Sequence, residues 1–186
     1  MNQTLIIIGI VAIVLLSIVG RCISISNNIN RLRIKVEEGD SGIDVALAKR
    51  YDVLTKMIEV VKGYTKHEKE TLIEVTKLRE HMTLEEKKEA NLSMNKGFDK
   101  VNAVVENYPD LKASENFKTL QKAVVDVEEH LQAARRLYNS NVSAYNQCIE
   151  TFPNSIIANM KGSKSKGFFE ADEKMKDNVV IDSKEI

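Results

Sequence analysis

A seven-residue apolar repeat in the C-terminal half of the chain constrains the fold more than any other feature. Its members are Phe117, Val124, Leu131, Tyr138, Tyr145 and Phe152, and the second seam position holds Leu120, Val127, Ala134 and Cys148. Asn141 is the one polar residue in that second seam. The repeat predicts a long helix, from Ser114 as N-cap to Phe152-Pro153, that buries one face against neighbouring helices of an antiparallel bundle.

The composition also favours helices. Aromatic residues make up 5% of the 186 residues, and 8 Gly and 2 Pro are few for this length, whereas strand-rich folds need many turns and many aromatic and β-branched side chains. The 27 basic and 27 acidic residues cancel, so no basic field attracts nucleic acid. Cys22 and Cys148 provide neither a disulfide framework nor a CxxC site.

An uncharged segment near the N-terminus predicts a membrane anchor. Leu5–Val19 contains no charged residue, and apolar neighbours extend it to about the twenty residues that a bilayer needs. A secretory signal peptide has a basic residue before its apolar run and a cleavage site after it. Here Met1–Thr4 has no Lys or Arg, and Arg21 follows the run. We expect an uncleaved anchor over residues 1–25 that contacts the lipid bilayer through residues 5–20.

The basic residues beside this span predict its direction. Arg21, Arg31, Arg33 and Lys35 all follow the span, and no Lys or Arg precedes it. Because basic residues are retained on the cytoplasmic side, we expect the N-terminus outside the cell membrane and the helical domain in the cytoplasm.

Shorter helical patterns occupy the middle of the chain. Apolar spacing predicts a helix over Ile43–Lys62, preceded by a weak point or bend in Glu37–Gly42, which contains two glycines. Gly63 either ends or kinks that helix. Thr65 and Glu68 have capping-box spacing and predict the start of the next helix.

The capping-box spacing recurs at Thr83 and Glu86. It opens a helix that Pro109 stops. The predicted apolar face of that helix carries Met94, Phe98, Val101, Val105 and Tyr108.

No catalytic or metal-binding motif is complete. The segment HEKET (His67–Thr71) ends in Thr where a zinc-protease HExxH has its second His. Gly162–Gly167 has the glycine spacing of a P-loop, but Phe168 follows in place of Lys. LEEKKEAN (Leu84–Asn91) predicts a solvent-facing helix surface with weak charge pairs. We therefore expect no metal and no cofactor.

Polar residues beside the apolar stripes are the candidate functional residues. They are Arg50, Tyr51, Asp52, Arg135, Tyr138, Asn139, Tyr145 and Asn146. Buried polar groups need partners, so one interpretation is an interhelical network that fixes the register of the bundle, with Asp52 or Asp44 accepting from an arginine. The other interpretation is a polar groove that binds a partner.

Several long segments resemble the bacterial LemA family. They are IDVALAKRYDVL (Ile43–Leu54), VKGYTKHEKETL (Val61–Leu72), YPDLKASENFKTLQ (Tyr108–Gln121), ARRLYNSNVSAYNQCIETFP (Ala134–Pro153) and FFE (Phe168–Glu170). The resemblance implies a membrane-anchored helical bundle without an established catalytic activity, and associations with envelope stress, membrane proteolysis or organelle assembly. Two departures, Thr55-Lys56 in place of Pro-Asn and glycine at Gly39 and Gly42, predict a straighter helix at the first position and an interrupted one at the second.

The sequence thus predicts an all-α protein, with an N-terminal transmembrane helix and an antiparallel long-helix bundle of three to four helices. We expect the anchor over residues 1–25, the bundle over 26–160, and a polar, loosely ordered tail over 161–186. The preferred function is a membrane-tethered scaffold or interaction module for an unknown membrane or cytoplasmic protein. The alternatives are an envelope-stress or membrane-proteolysis accessory protein, a homo-oligomer, and an enzyme with an unrecognised site.

Overall fold

The computed structural model describes residues 2–64 and 82–170, and this part of the chain is all-α, as predicted. Its helices are α1 (Asn2–Tyr64), α2 (Leu84–Glu106), α3 (Pro109–Ala113), α4 (Glu115–Glu150) and α5 (Asn154–Met160). The described residues divide into a first unit, residues 2–40 with 137–167, and a second unit, residues 41–64, 82–136 and 168–170. The predicted capping box at Thr65, the HEKET segment and residues 171–186 of the tail lie outside the described residues.

Helix α1 is one uninterrupted helix of 63 residues. It contains the predicted membrane span, whose Leu5–Val19 side chains are all exposed. Among the described residues it is the one helix long and apolar enough to cross a membrane, so α1 contains a candidate membrane span. The predicted weak point in Glu37–Gly42 is wrong, and α1 also continues through Gly63 to Tyr64. Glycine weakens a helix but keeps its backbone N–H, and no proline occurs in this segment to remove one.

In the first unit, α1 packs antiparallel against α4. As residue numbers rise along α1, those of their partners fall along α4: Asn28 contacts Cys148, Lys35 contacts Asn141, and Gly39 contacts Tyr138. Asn141 is the polar residue in the predicted apolar seam, and its side-chain amide donates to the Lys35 carbonyl at 2.8 Å. A polar residue in the seam therefore fixes the register of the two helices.

Gly39 marks the closest described approach of a glycine on α1 to the α4 backbone. A Cβ atom placed on Gly39 would lie 3.0 Å from the Cα of Tyr138 and 3.4 Å from the Asn141 amide nitrogen. The missing side chain lets the two backbones approach, which explains a glycine inside a continuous helix. In the second unit, a Cβ atom on Gly42 would have no such neighbour within 4 Å.

These two glycines give a matched pair of substitutions with opposite expected signs. Gly39→Ala should lower the free energy of unfolding by about 1–3 kcal/mol, because α1 and α4 must separate to admit the methyl group. Gly42→Ala should raise it by about 0.5–1 kcal/mol, because alanine favours the helix and meets open space. Thermal unfolding of the full chain in detergent micelles, followed by circular dichroism, measures both. Equal effects at both positions would contradict the close-approach explanation.

In the second unit, α2 begins at the predicted capping box. The Thr83 hydroxyl accepts from the Glu86 backbone N–H, and the Thr83 N–H donates to the Glu86 carboxylate at 2.7 Å. Four of the five residues predicted for the apolar face of α2 are buried, namely Met94, Phe98, Val101 and Val105. The fifth, Tyr108, is half-buried and lies beyond the helix end, where Pro109 starts α3.

Helices α1 and α2 run parallel in the second unit. The residue numbers of the contacting partners increase together along the two helices: Asp44 pairs with Lys87, Arg50 with Asn91, and Leu54 with Gly97. Gly97 accepts the Leu54 side chain, one methyl group of which would lie 2.8 Å from an added Cβ atom. Glycine at this position therefore lets α2 pack closely on a buried leucine of α1.

Helix α4 follows the predicted repeat except at its end. Phe117, Leu131, Tyr138 and Tyr145 are buried and Val124 is half-buried. The Ser114 hydroxyl accepts from the Phe117 backbone N–H at 3.3 Å, so the predicted N-cap is confirmed. Placing Phe152 in the buried repeat is wrong, because α4 ends at Glu150 and the Phe152 side chain is 77% exposed.

The chain after α5 is held in place rather than loose. Gly162, with φ +64°, ends α5 in a Schellman motif: the Gly162 N–H donates to Asn159 and the Ser163 N–H to Ala158. Residues 161–167, which we name the C-terminal strap, then bond to α1 and α4 of the first unit. The expectation of a loosely ordered tail is therefore wrong for this segment. The domain boundaries themselves remain predictions.

Candidate functional site

The main buried polar cluster of the second unit is centred on Arg50 of α1, a residue that is only 5% exposed. Its guanidinium donates to the Asn91 side chain, to the Asn95 side-chain oxygen at 2.6 Å and to the Glu128 carboxylate at 2.9 Å. Phe98 lies under the same group, 5.2 Å from ring centre to guanidinium carbon. We call these five residues the Arg50 cluster. It links α1 to α2 and to α4.

The electrostatics of the Arg50 cluster are those of a buried charge with one counterion. Burial lowers the pKa of the Arg50 guanidinium, Glu128 opposes that shift, and the positive charge of Arg135 adds to it. An arginine pKa starts so high that the group stays charged. The Arg50 Nε atom has no hydrogen-bond acceptor. This residual cost of burial is offset by the planar fork, which satisfies three acceptors on two helices at once.

A second buried charge lies near the start of α2. The Lys87 side chain is 1% exposed, and its ammonium bonds to the Asp44 carboxylate of α1 at 2.9 Å. The prediction that Leu84–Asn91 forms a solvent-facing surface is therefore wrong at Lys87 and Asn91, since both are buried. The aliphatic part of the Lys87 side chain packs against α1. The Lys87 ammonium and the Asn91 amide each bond to a residue of α1.

In the first unit, α4 holds the C-terminal strap through side-chain bonds to backbone. The Asn146 amide nitrogen donates to the Lys166 carbonyl at 2.9 Å, and its oxygen accepts from the Lys166 N–H at 2.9 Å. The Tyr138 hydroxyl donates to the Gly167 carbonyl at 3.0 Å. Burial, and then the charge of Asp40, raises the pKa of Tyr138, so this hydroxyl stays protonated and remains a donor.

The predicted site residues therefore fall into separate groups. Arg50 belongs to the Arg50 cluster, whereas Tyr138 and Asn146 hold the strap. Arg135 lies over the ring of Phe169 in the second unit, at 4.9 Å. The structure places the other residues as follows: Tyr145 is buried, Tyr51 and Asn139 are half-buried, and Asp52 is exposed.

The predicted acceptors for the arginine are not used. Asp52 points to solvent, and Asp44 pairs with Lys87. Glu128 takes their place, because an antiparallel α4 brings it beside Arg50.

Sequence reasoning also missed the polar α2 members of the Arg50 cluster, Asn91 and Asn95, and the buried Lys87 beside them. Lys87, Asn91 and Asn95 recur every four residues on α2, which places them along one face of the helix. This polar stripe adjoins the apolar residues Ala90, Met94 and Phe98. That adjacency was the one sequence signal that could have indicated burial of the stripe. Pattern alone does not separate a polar stripe that faces water from one that faces a neighbouring helix.

The described residues contain no group of three or more His, Cys, Asp or Glu side chains arranged to hold a metal ion. The chemistry of the Arg50 cluster is that of a positioned cation with neutral and anionic acceptors. That arrangement supports linkage between helices.

We expect Arg50→Lys to lower the free energy of unfolding by about 2 kcal/mol, because a single ammonium cannot satisfy acceptors on both α2 and α4. The matched control is Lys49→Arg at the preceding, exposed position of α1, which should change it by less than about 0.5 kcal/mol. Denaturant or thermal unfolding of the full chain in micelles measures both. An Arg50→Lys protein as stable as the control would show that the forked geometry contributes nothing.

Comparison with known proteins gives one family. A model of the LemA family matches residues 40–182. Protein LemA of Metamycoplasma hominis is 27% identical over 165 residues, which cover 86% of this chain and 74% of that protein.

Two magnetosome proteins match a shorter stretch. MamQ of Magnetospirillum gryphiswaldense is 28% identical over 67 residues, or 36% of this chain and 25% of that protein. MamQ 2 of Paramagnetospirillum magneticum is 31% identical over 68 residues, or 37% of this chain and 25% of that protein.

Proposed function

Because this chain belongs to the LemA family, we propose that it is a membrane-anchored scaffold whose helical domain binds another membrane or cytoplasmic protein. The observation that carries the proposal is the continuity of α1. The same helix forms the apolar span and, over residues 28–39, packs against α4. No loop separates the span from the packed part, so the domain stays beside the membrane surface.

The buried polar groups support a binding role over a catalytic one. Arg50, Lys87 and Asn91 are the buried polar side chains of the described residues, and each bonds to a neighbouring helix. A catalytic group instead needs to meet a substrate in an accessible pocket. The exposed surface is left for a partner, and a second copy of the chain is one such partner.

The proposal also includes a direction across the membrane. The four basic residues that follow the span, Arg21, Arg31, Arg33 and Lys35, favour the cytoplasm for the domain. A reporter that is active only in the cytoplasm, fused after Ile186, should be active. The matched control is a chain with two lysines inserted after Met1 and with Arg21 and Arg31 changed to Gln, which should reduce that activity. Digestion of the domain by protease added outside intact cells would contradict the assigned direction.

The scaffold proposal is tested by photo-crosslinking of the full chain in intact membranes. A photoreactive amino acid replaces Val45 or Val125, exposed apolar residues of the second unit. We expect a discrete protein adduct that is lost when an excess of untagged chain competes.

The control places the same amino acid at Leu16, within the lipid-facing span, where lipid adducts should predominate. A labelled second copy identifies a homo-oligomer. Protein adducts that are diffuse at both domain positions and do not respond to competition would contradict a specific scaffold.

A further inference from the structure

A basic cavity in the first unit lies beside the membrane end of α1. Its volume is about 320 Å³, and ten residues line it. Four of them are cations, Arg33, Lys161, Lys164 and Lys166, and none is a carboxylate. The ring of Tyr145 and the side chain of Ile29 supply apolar wall, and Ser163 and Ser165 supply hydroxyl donors. This lining is suited to an anion that carries a small polar group.

Among residues 2–64 and 82–170, no strong ion pair neutralises the charges that line the cavity. The Lys161 ammonium bonds to neutral oxygens, namely Ser26 Oγ at 2.8 Å and Asn30 Oδ1 at 2.9 Å, which fix its position without cancelling its charge. Arg33 lies 3.8 Å from Glu37, and both side chains are more than half exposed, so water and salt screen that pair. A fixed ammonium beside three further cations is an attractive site for phosphate.

The height of the cavity above the bilayer follows from helix geometry. A hydrocarbon core about 30 Å thick takes up about twenty helical residues, so a span that begins near Leu5 ends near Ile25. Ser26 and Asn30 then lie within about 8 Å beyond it, which is the thickness of the headgroup layer. The Lys161 ammonium bonds to both residues and therefore lies at headgroup level.

Bonds from α4 and the Schellman motif after α5 fix the backbone of the strap that lines this cavity. Gly162 turns the chain out of α5, and the Asn146 side chain fixes the Lys166 backbone through two bonds. The strap is thereby held across α4 with its lysines along the cavity. A pre-organised site loses less conformational entropy when it binds a ligand than a mobile basic segment does.

We propose that this cavity binds the phosphate of an anionic phospholipid headgroup in the leaflet next to the domain. The charge of the four cations selects a net negative headgroup over a zwitterionic one. The proposal depends on α1 crossing a bilayer, but it does not depend on the direction of crossing or on the scaffold role. If the crosslinking experiment finds no protein partner, the lipid-site proposal is unaffected. If the lipid-binding experiment fails, the scaffold proposal is unaffected.

Native mass spectrometry of the full chain in detergent micelles tests the site with defined lipids. Phosphatidylglycerol, titrated in, should give one retained lipid per chain at concentrations where phosphatidylcholine gives none. The double variant Lys164→Gln/Lys166→Gln should weaken that retention on the order of tenfold, since each lysine at an anionic lipid surface contributes several-fold. These two lysines are exposed, so the variant should keep its fold, which circular dichroism verifies.

The matched control is Lys96→Gln/Lys100→Gln, which removes two exposed lysines from α2 and should leave lipid retention unchanged. Equal losses in the two double variants would overturn the site in favour of general surface charge. A third arm adds inorganic phosphate at millimolar concentration. Persistence of the bound phosphatidylglycerol supports a lipid site, whereas full displacement by phosphate, or equal retention of both lipids, would overturn it.

Discussion

The antiparallel packing of α1 against α4 is the interaction on which the first unit depends. It requires a long apolar seam on α4, which the seven-residue repeat supplies, and a small residue on α1 where the backbones meet, which Gly39 supplies. Asn141 adds a directional bond to the Lys35 carbonyl. An apolar seam alone permits a shift of one helical turn between two helices. The side-chain amide and the missing Cβ atom disfavour such shifts, because a shift would strand a polar group or create a clash.

The buried charges of the second unit restrict its packing in a related way. Burying Arg50 carries a desolvation cost that is compensated only when Asn91, Asn95 and Glu128 are all in place. Those acceptors lie on two different helices, so the compensation requires α2 and α4 to hold their positions against α1 together. Lys87 and Asp44 impose a similar condition one to two turns away. We therefore expect these interactions to contribute more to the choice of one packing than to net stability, which hydrophobic residues of equal volume also supply.

Features encoded within one helix were predictable, and features that depend on two helices were not. The Thr83 capping box, the Ser114 N-cap and most of the α4 repeat depend on spacings of three to seven residues, which the sequence displays directly. The role of Gly39 depends on Tyr138, 99 positions away, and is invisible to any local rule. For the same reason Lys87 resembled a surface residue, and Glu128 was not recognised as the partner of Arg50. The prediction that Phe152 is buried was wrong for a different reason, because the seven-residue repeat continues past Glu150, where the helix ends.

The strap shows how tertiary contacts order a segment whose composition predicts disorder. Residues 161–167 are Gly, Ser and Lys, with little apolar surface to bury. They are held instead by the positive φ of Gly162, by two bonds from Asn146 and by one from Tyr138. The bonds from Asn146 and Tyr138 satisfy backbone groups of the strap, and the side chains of Lys164 and Lys166 remain exposed. Because the backbone carries these bonds, the charges of Lys164 and Lys166 remain available to bind an anion. Both lysines line the cavity between α4 and the membrane-proximal turns of α1.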